Sequence, residues 1–141
     1  MEREKAGRSL IPNRVDISQR PAIVEKRSRT GDFEGDTIYG QDAYLVTLVD
    51  RKSRLLLMAK TPDKTAEVVV NTVNTLLNRV AKVHTLTLDK WFSSPKGTAF
   101  GSLTEQKISD MELRLNMTPR KVLNGLTPME VYTGRMLHLL R

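Results

Sequence analysis

The alternation of apolar and polar residues changes character near residue 32. Before that point apolar residues are sparse and aperiodic, and Gly7, Pro12 and Pro21 interrupt the chain. Phe33 to Tyr39 then reads as a strand, with Asp32, Glu34 and Asp36 on one parity and so on one face. Tyr44 to Val49 is apolar on both parities, the pattern of a strand covered on both faces. Asp50-Arg51-Lys52-Ser53 supplies a polar turn, and Arg54 to Lys60 a further strand, so the pair predicts an antiparallel hairpin. Ala66, Val69, Val70, Val73, Leu77 and Val80 recur at helical spacing. Asp63 is one frame for the start of that helix, and Thr61 with Pro62 is the other. Val83 to Leu88 follows as a strand and runs into Asp89. The predicted order is β-β-β-α-β.

Residues 90–101, rich in Ser, Pro and Gly, hold no element of useful length. A helix is then expected from a Ser102–Glu105 capping box, with Ile108, Met111 and Leu115 as its apolar stripe and Thr118-Pro119 as its stop. Thr127-Pro128-Met129-Glu130 is a second capping box, opening a short helix near the C-terminus.

Length fits this outline: 141 residues correspond to one domain. Cysteine is absent, which excludes disulfides, Cys-ligated zinc and a thiol nucleophile. No apolar run approaches the ~18 residues of a membrane span. The N-terminal Met-Glu-Arg-Glu-Lys lacks the apolar stretch of a signal peptide, so a cytoplasmic location with no membrane partner is expected. The glycines lack the spacing of a P-loop or dinucleotide fingerprint, so no small-molecule cofactor is expected. His84 and His138 stand at no recognisable catalytic spacing and read as structural or surface residues.

Charge points to a partner. The net charge is +7, and residues 1–30 carry eight basic and four acidic side chains, more than half of the surplus. Nucleic acid is the usual partner of such a chain. Residues 1–31 read as a basic arm or linker, either solvated or in contact with phosphates. Arg51, Lys52 and Arg54 read as a solvated turn, with DNA contact as the other reading. Asp32 and Glu34 read as surface or strand-edge carboxylates, or as neighbours supporting Asp36. Asp36 lies within the first strand and Asp89 ends the fourth. Two aspartates on adjacent strands of an α/β sheet are candidate Mg²⁺ ligands, although aspartate is also common at strand ends.

Several words of the sequence carry a resemblance. They are RSLIPNRVD at 8–16, RPAIVE at 20–25, SRTGDFEGDTI at 28–38, LVTLVDRKSR at 45–54 and VHTLTLD at 83–89. PKGT at 95–98, LTEQKI at 103–108 and TPRKVLNGLTPMEVY at 118–132 continue it. Together they resemble bacterial insertion-sequence transposases of the insertion sequence thirty family. The resemblance implies an α/β, ribonuclease H-like core of the retroviral-integrase superfamily, a DDE triad holding two divalent metals, and DNA strand cleavage and transfer. By position it makes Asp36 the first catalytic, metal-binding aspartate and Asp89 the second, with Mg²⁺ or Mn²⁺ as cofactor.

The third acid, a glutamate upstream of the PKGT word, has no counterpart: only Lys90-Trp91-Phe92-Ser93-Ser94 separate Asp89 from Pro95. The expectation is therefore an incomplete core, with an N-terminal part at 32–89 and a junction with C-terminal helices at 90–141. It lacks an internal block, and the family's N-terminal helix-turn-helix region is not matched either. One missing helix forfeits about four buried aliphatic side chains, roughly 10 kcal/mol. That is comparable to a domain's whole net stability, so a marginal or self-associating fold is expected. The chain reads as a transposase remnant with catalysis impaired. The alternative is a non-catalytic module that binds DNA or pairs with an intact transposase.

Overall fold

The computed structural model describes residues 20–40, 42–63, 65–88, 92–93 and 103–135. In chain order the elements are α1 (Ala22–Lys26), β1 (Asp32–Tyr39), β2 (Tyr44–Asp50), β3 (Leu56–Thr61), α2 (Ala66–Leu77), β4 (Thr85–Leu88), β5 (Phe92–Ser93), α3 (Glu105–Asn116) and α4 (Pro128–Thr133). A 3₁₀ turn at Lys121–Leu123 precedes α4. The predicted β-β-β-α-β order is present, and the protein has a mixed α/β fold.

The strands run β3-β2-β1-β4 across one sheet. β1 pairs antiparallel with β2, and β2 with β3, because short turns connect them. β4 lies parallel to β1, since α2 carries the chain back across the sheet before β4 begins. β5 also pairs with β1, beyond the end of β4.

α2 packs on one face, and α3 lies along β3 with Ile108 turned to the other. Phe33, Val46, Leu48, Leu57, Val69, Val73 and Leu76 form one core, between the sheet and α2. Leu45, Met58 and Ile108 form a second, on the side of α3, with Ile38 and Leu56 packed against it. β2 therefore buries both of its parities, as its doubly apolar pattern predicts.

Several local expectations are corrected. α2 starts at Ala66 with Thr65 at its N-cap and no side-chain cap; Asp63 instead accepts from the Thr65 amide at 2.9 Å. α3 is capped by Thr104, whose hydroxyl accepts from Lys107 N at 3.1 Å. Glu105 follows that cap as the first helical residue, and Ser102 lies outside the described residues. The Thr127–Glu130 capping box forms as predicted.

The stripe expected on α3 is also different. Ile108 is buried, but Met111 and Leu115 are each 38% exposed. The buried line is Ile108, Glu112 and Asn116, spaced i, i+4, i+8. β3 is an edge strand, with backbone groups left unpaired on one side. Glu112 Oε2 accepts from Met58 N at 2.9 Å, and Asn116 bonds both backbone groups of Leu56. Polar side chains win these helix positions because the edge offers hydrogen bonds that an apolar residue would leave unmade.

The basic N-terminal segment divides in two. Residues 1–19 lie outside the described residues, but residues 20–30 dock on the sheet rather than extending from it. Val24 is fully buried, and its carbonyl accepts from Arg51 Nε at 3.1 Å.

Candidate functional site

β1 occupies the centre of the sheet and carries the candidate carboxylates. Alternation turns Glu34, Asp36 and Ile38 to the α3 side, and Phe33 and Gly35 to the α2 side. Asp36 is half-buried and lies opposite Thr47 of β2. Its Oδ1 accepts from the amide of Thr37 at 2.7 Å, which anchors the carboxylate to its own strand. The parallel register places Gly35 opposite Leu88, the residues that immediately precede Asp36 and Asp89. Asp89 itself lies outside the described residues, as do Trp91 and His138.

The other acids of this face are engaged. Glu34 forms an ion pair with Arg51, whose guanidinium also stands 3.6 Å from Glu25. Arg20 bridges the same group, 3.0 Å from Glu25 and 3.9 Å from Glu34. Arg51 is only 4% exposed, so it belongs to the packing between α1 and the sheet and not to a solvated turn. Lys52 and Arg54 remain at the surface.

Asp32 is likewise not a surface carboxylate. It is buried, receives Arg29 Nε at 2.8 Å and Nη2 at 3.0 Å, and accepts from Thr85 Oγ1 at 2.8 Å. The Arg29 hydrogen bonds hold its carboxyl below the usual carboxylate range, against the opposing effect of burial. Asp32 thus clamps β1 to β4 upstream of Asp36. Asp50 does similar work on the other side: it is buried and accepts from Gly31 N at 2.7 Å and from Ser53 N and Oγ at 2.8 and 2.7 Å.

No acid of α3 joins Asp36. Glu105 is exposed in the first turn, and Asp110 accepts from Gln106 Nε2 at 2.8 Å. Glu112 is held by Met58 N and by an ion pair with Arg79. Among the described residues no group of three or more His, Asp or Glu side chains is placed to hold a metal ion. His84 is exposed beside β4, and its backbone amide donates to Gly31 O at 2.7 Å.

Sequence reasoning missed the Glu112–Arg79 and Asn116–Leu56 contacts. Their signal was present in the i, i+4, i+8 spacing from Ile108, but polar residues on a buried line are not found by apolar periodicity.

The chain is 32% identical, over 171 aligned residues and 92% of its length, to the transposase for insertion sequence element IS4351 of Bacteroides fragilis. This chain is a relative of bacterial insertion-sequence transposases. A second relative, the transposase for insertion sequence element IS1086 of Cupriavidus metallidurans, is 28% identical over 167 residues and 88% of the chain. No protein-family model matches the chain. It spans about half the length of both curated transposases, 52% and 49%.

The first alignment is also longer than the part of the chain that it contains. A 92% share of 141 residues is about 130, so about 40 of the 171 aligned positions in this transposase face no residue of the chain. Among the described residues no helix is long and apolar enough to cross a membrane.

Proposed function

We propose that this protein is an internally shortened transposase core of the insertion sequence thirty family, with a ribonuclease H-like fold. In this reading it binds DNA in the cytoplasm, and its strand cleavage and transfer are lost or strongly reduced. The surplus of about 40 aligned positions in the Bacteroides transposase carries this reading. The topology supports the fold assignment: three antiparallel strands, a crossover helix, and a fourth strand parallel to the first.

Asp36 and Asp89 are the proposed metal-binding pair. Carboxylate oxygens are hard donors suited to Mg²⁺ or Mn²⁺, and Asp36 presents one on the central strand. Phosphodiester chemistry of this kind would use two ions, one to activate a water or 3′-hydroxyl and one to stabilise the departing oxygen; Asp36 and Asp89 would hold one of them and leave the other without an anchor. Asp36 contributes anionic charge and a fixed position, set by the Thr37 amide. Glu34, Glu112 and Asp110 are committed to other partners and supply no third acid.

A nicking and 3′-joining assay on DNA with Mg²⁺ or Mn²⁺ tests the proposal. No metal-dependent product is expected. Products abolished by Asp36→Asn would overturn the loss of catalysis and return the chain to the active enzymes.

A second reading, pairing with an intact transposase, is favoured by the apolar side chains left at the surface of α3. Leu113 is 57% exposed, and Met111, Leu115 and Met117 are each 38% exposed. Co-purification with a full-length transposase tests it.

A further inference from the structure

We infer that the end of α1 and the β2–β3 turn together form a phosphate-contacting patch for the DNA backbone, made of Lys26, Arg27, Lys52 and Arg54. The inference rests on the proposed DNA-binding reading and assigns it a surface.

The patch joins two stretches that are 25 residues apart in sequence. The carbonyl of Val24 accepts both from Arg27 N, at 3.3 Å, and from Arg51 Nε, at 3.1 Å, which draws the end of α1 against the turn. Arg51 is then consumed by Glu34 and Glu25. Lys26, Arg27 and Lys52 are exposed, and Arg54 is half-buried. Among the described residues, none of the four has a salt bridge. Burial, followed by repulsion from Arg27, disfavours the charge on Arg54; Glu34 opposes this, and Arg51 adds a smaller repulsion. An anion would relieve that repulsion.

The backbone contributes to the arrangement. Arg27 and Arg54 both have left-handed φ values, 51° and 65°. Such values are uncommon outside glycine. Here both of them present an arginine at the same surface.

Position relative to Asp36 fits a polymeric polyanion better than a small one. The register places Asp50, which opens the turn, opposite Phe33, three residues before Asp36. At ~3.3 Å per residue the turn stands about 10 Å along β1 from the carboxylate. A DNA strand at Asp36 would extend over the patch.

The test compares two variants of the full chain that lose equal charge. In the patch variant, Lys26→Gln, Arg27→Asn, Lys52→Gln and Arg54→Asn are combined, asparagine being chosen because it tolerates left-handed φ. In the control, Lys107→Gln, Arg114→Gln, Lys121→Gln and Arg135→Gln remove four exposed cations elsewhere. Binding to a labelled random-sequence DNA duplex is measured against salt, and circular dichroism checks that each variant is folded. The patch variant should lower the slope of log K against log salt by about 3–4, at ~0.9 for each phosphate that is no longer neutralised, and the control by less than 1. Equal slopes in the two variants, or a patch variant that keeps the parental slope, overturn the assignment while the DNA-binding reading stands. Absence of salt-dependent binding by the unaltered chain overturns both.

Discussion

Asn116 bonds Leu56 through both ends of its side-chain amide: Oδ1 accepts from Leu56 N and Nδ2 donates to Leu56 O, each at 2.8 Å. The side chain imitates a neighbouring strand and closes part of the exposed edge of β3. Asn116→Leu keeps the branching of the side chain and removes both bonds. It should destabilise the protein by about 2 kcal/mol, since buried backbone groups left unpaired cost ~1–3 kcal/mol. Urea unfolding at neutral pH reads this directly, and an unchanged midpoint would show that water replaces the amide.

Gly31 stands where β1, β4 and the Asp50 carboxylate meet, with φ at 103°. A Cβ there would lie 2.8 Å from the His84 ring and 3.2 Å from Lys82 O. Gly31→Ala should therefore cost about 1–3 kcal/mol, from backbone strain as well as collision. The check is thermal unfolding followed by circular dichroism.

The Arg29–Asp32 pair predicts an acid dependence. Hydrogen bonds from Arg29 lower the folded-state pKa of Asp32 below its unfolded value of about 3.9. The ionised carboxylate therefore stabilises the fold at neutral pH, and this contribution is lost as the pH falls through the folded value. Asp32→Asn should be less stable than the parent at pH 7, and the difference should shrink as the pH drops below about 4. Urea unfolding of both proteins from pH 7 to pH 3 measures it; a constant difference would assign the effect to packing.

The proposed metal site should set Asp36 apart from its neighbours. Mg²⁺ should raise the unfolding temperature of the parent, because a ligand that binds only the folded state stabilises it. Asp36→Asn should lose that increase relative to its own metal-free value, whereas Asp110→Asn, on exposed α3, should keep it. Thermal scans across a Mg²⁺ titration distinguish the two.

Most elements of the fold were legible from local pattern, but α1 was not, because residues 1–31 read as an arm. β2 announces itself as a strand buried on both faces, and the Thr127–Glu130 box caps α4 as read. The transposase relationship was legible too, because it rests on words of sequence that do not depend on packing. Asp36 could be singled out in this way, and the register then placed its preceding residue beside the one preceding Asp89.

What the sequence determined by itself was the β-β-β-α-β order with the two helices that follow it, the charge excess and the kinship. These are properties of short windows and of composition. Tertiary structure alone decided which polar residues are buried. Asp32, Arg51, Glu112 and Asn116 all look like solvent-facing residues in their own segments. Each is buried because a partner distant in sequence or a strand edge supplies hydrogen bonds: Thr85 for Asp32, Glu34 for Arg51, Arg79 and Met58 for Glu112, Leu56 for Asn116. Local periodicity records only the preference for leaving water, whereas compensation of a buried polar group depends on what the fold brings next to it.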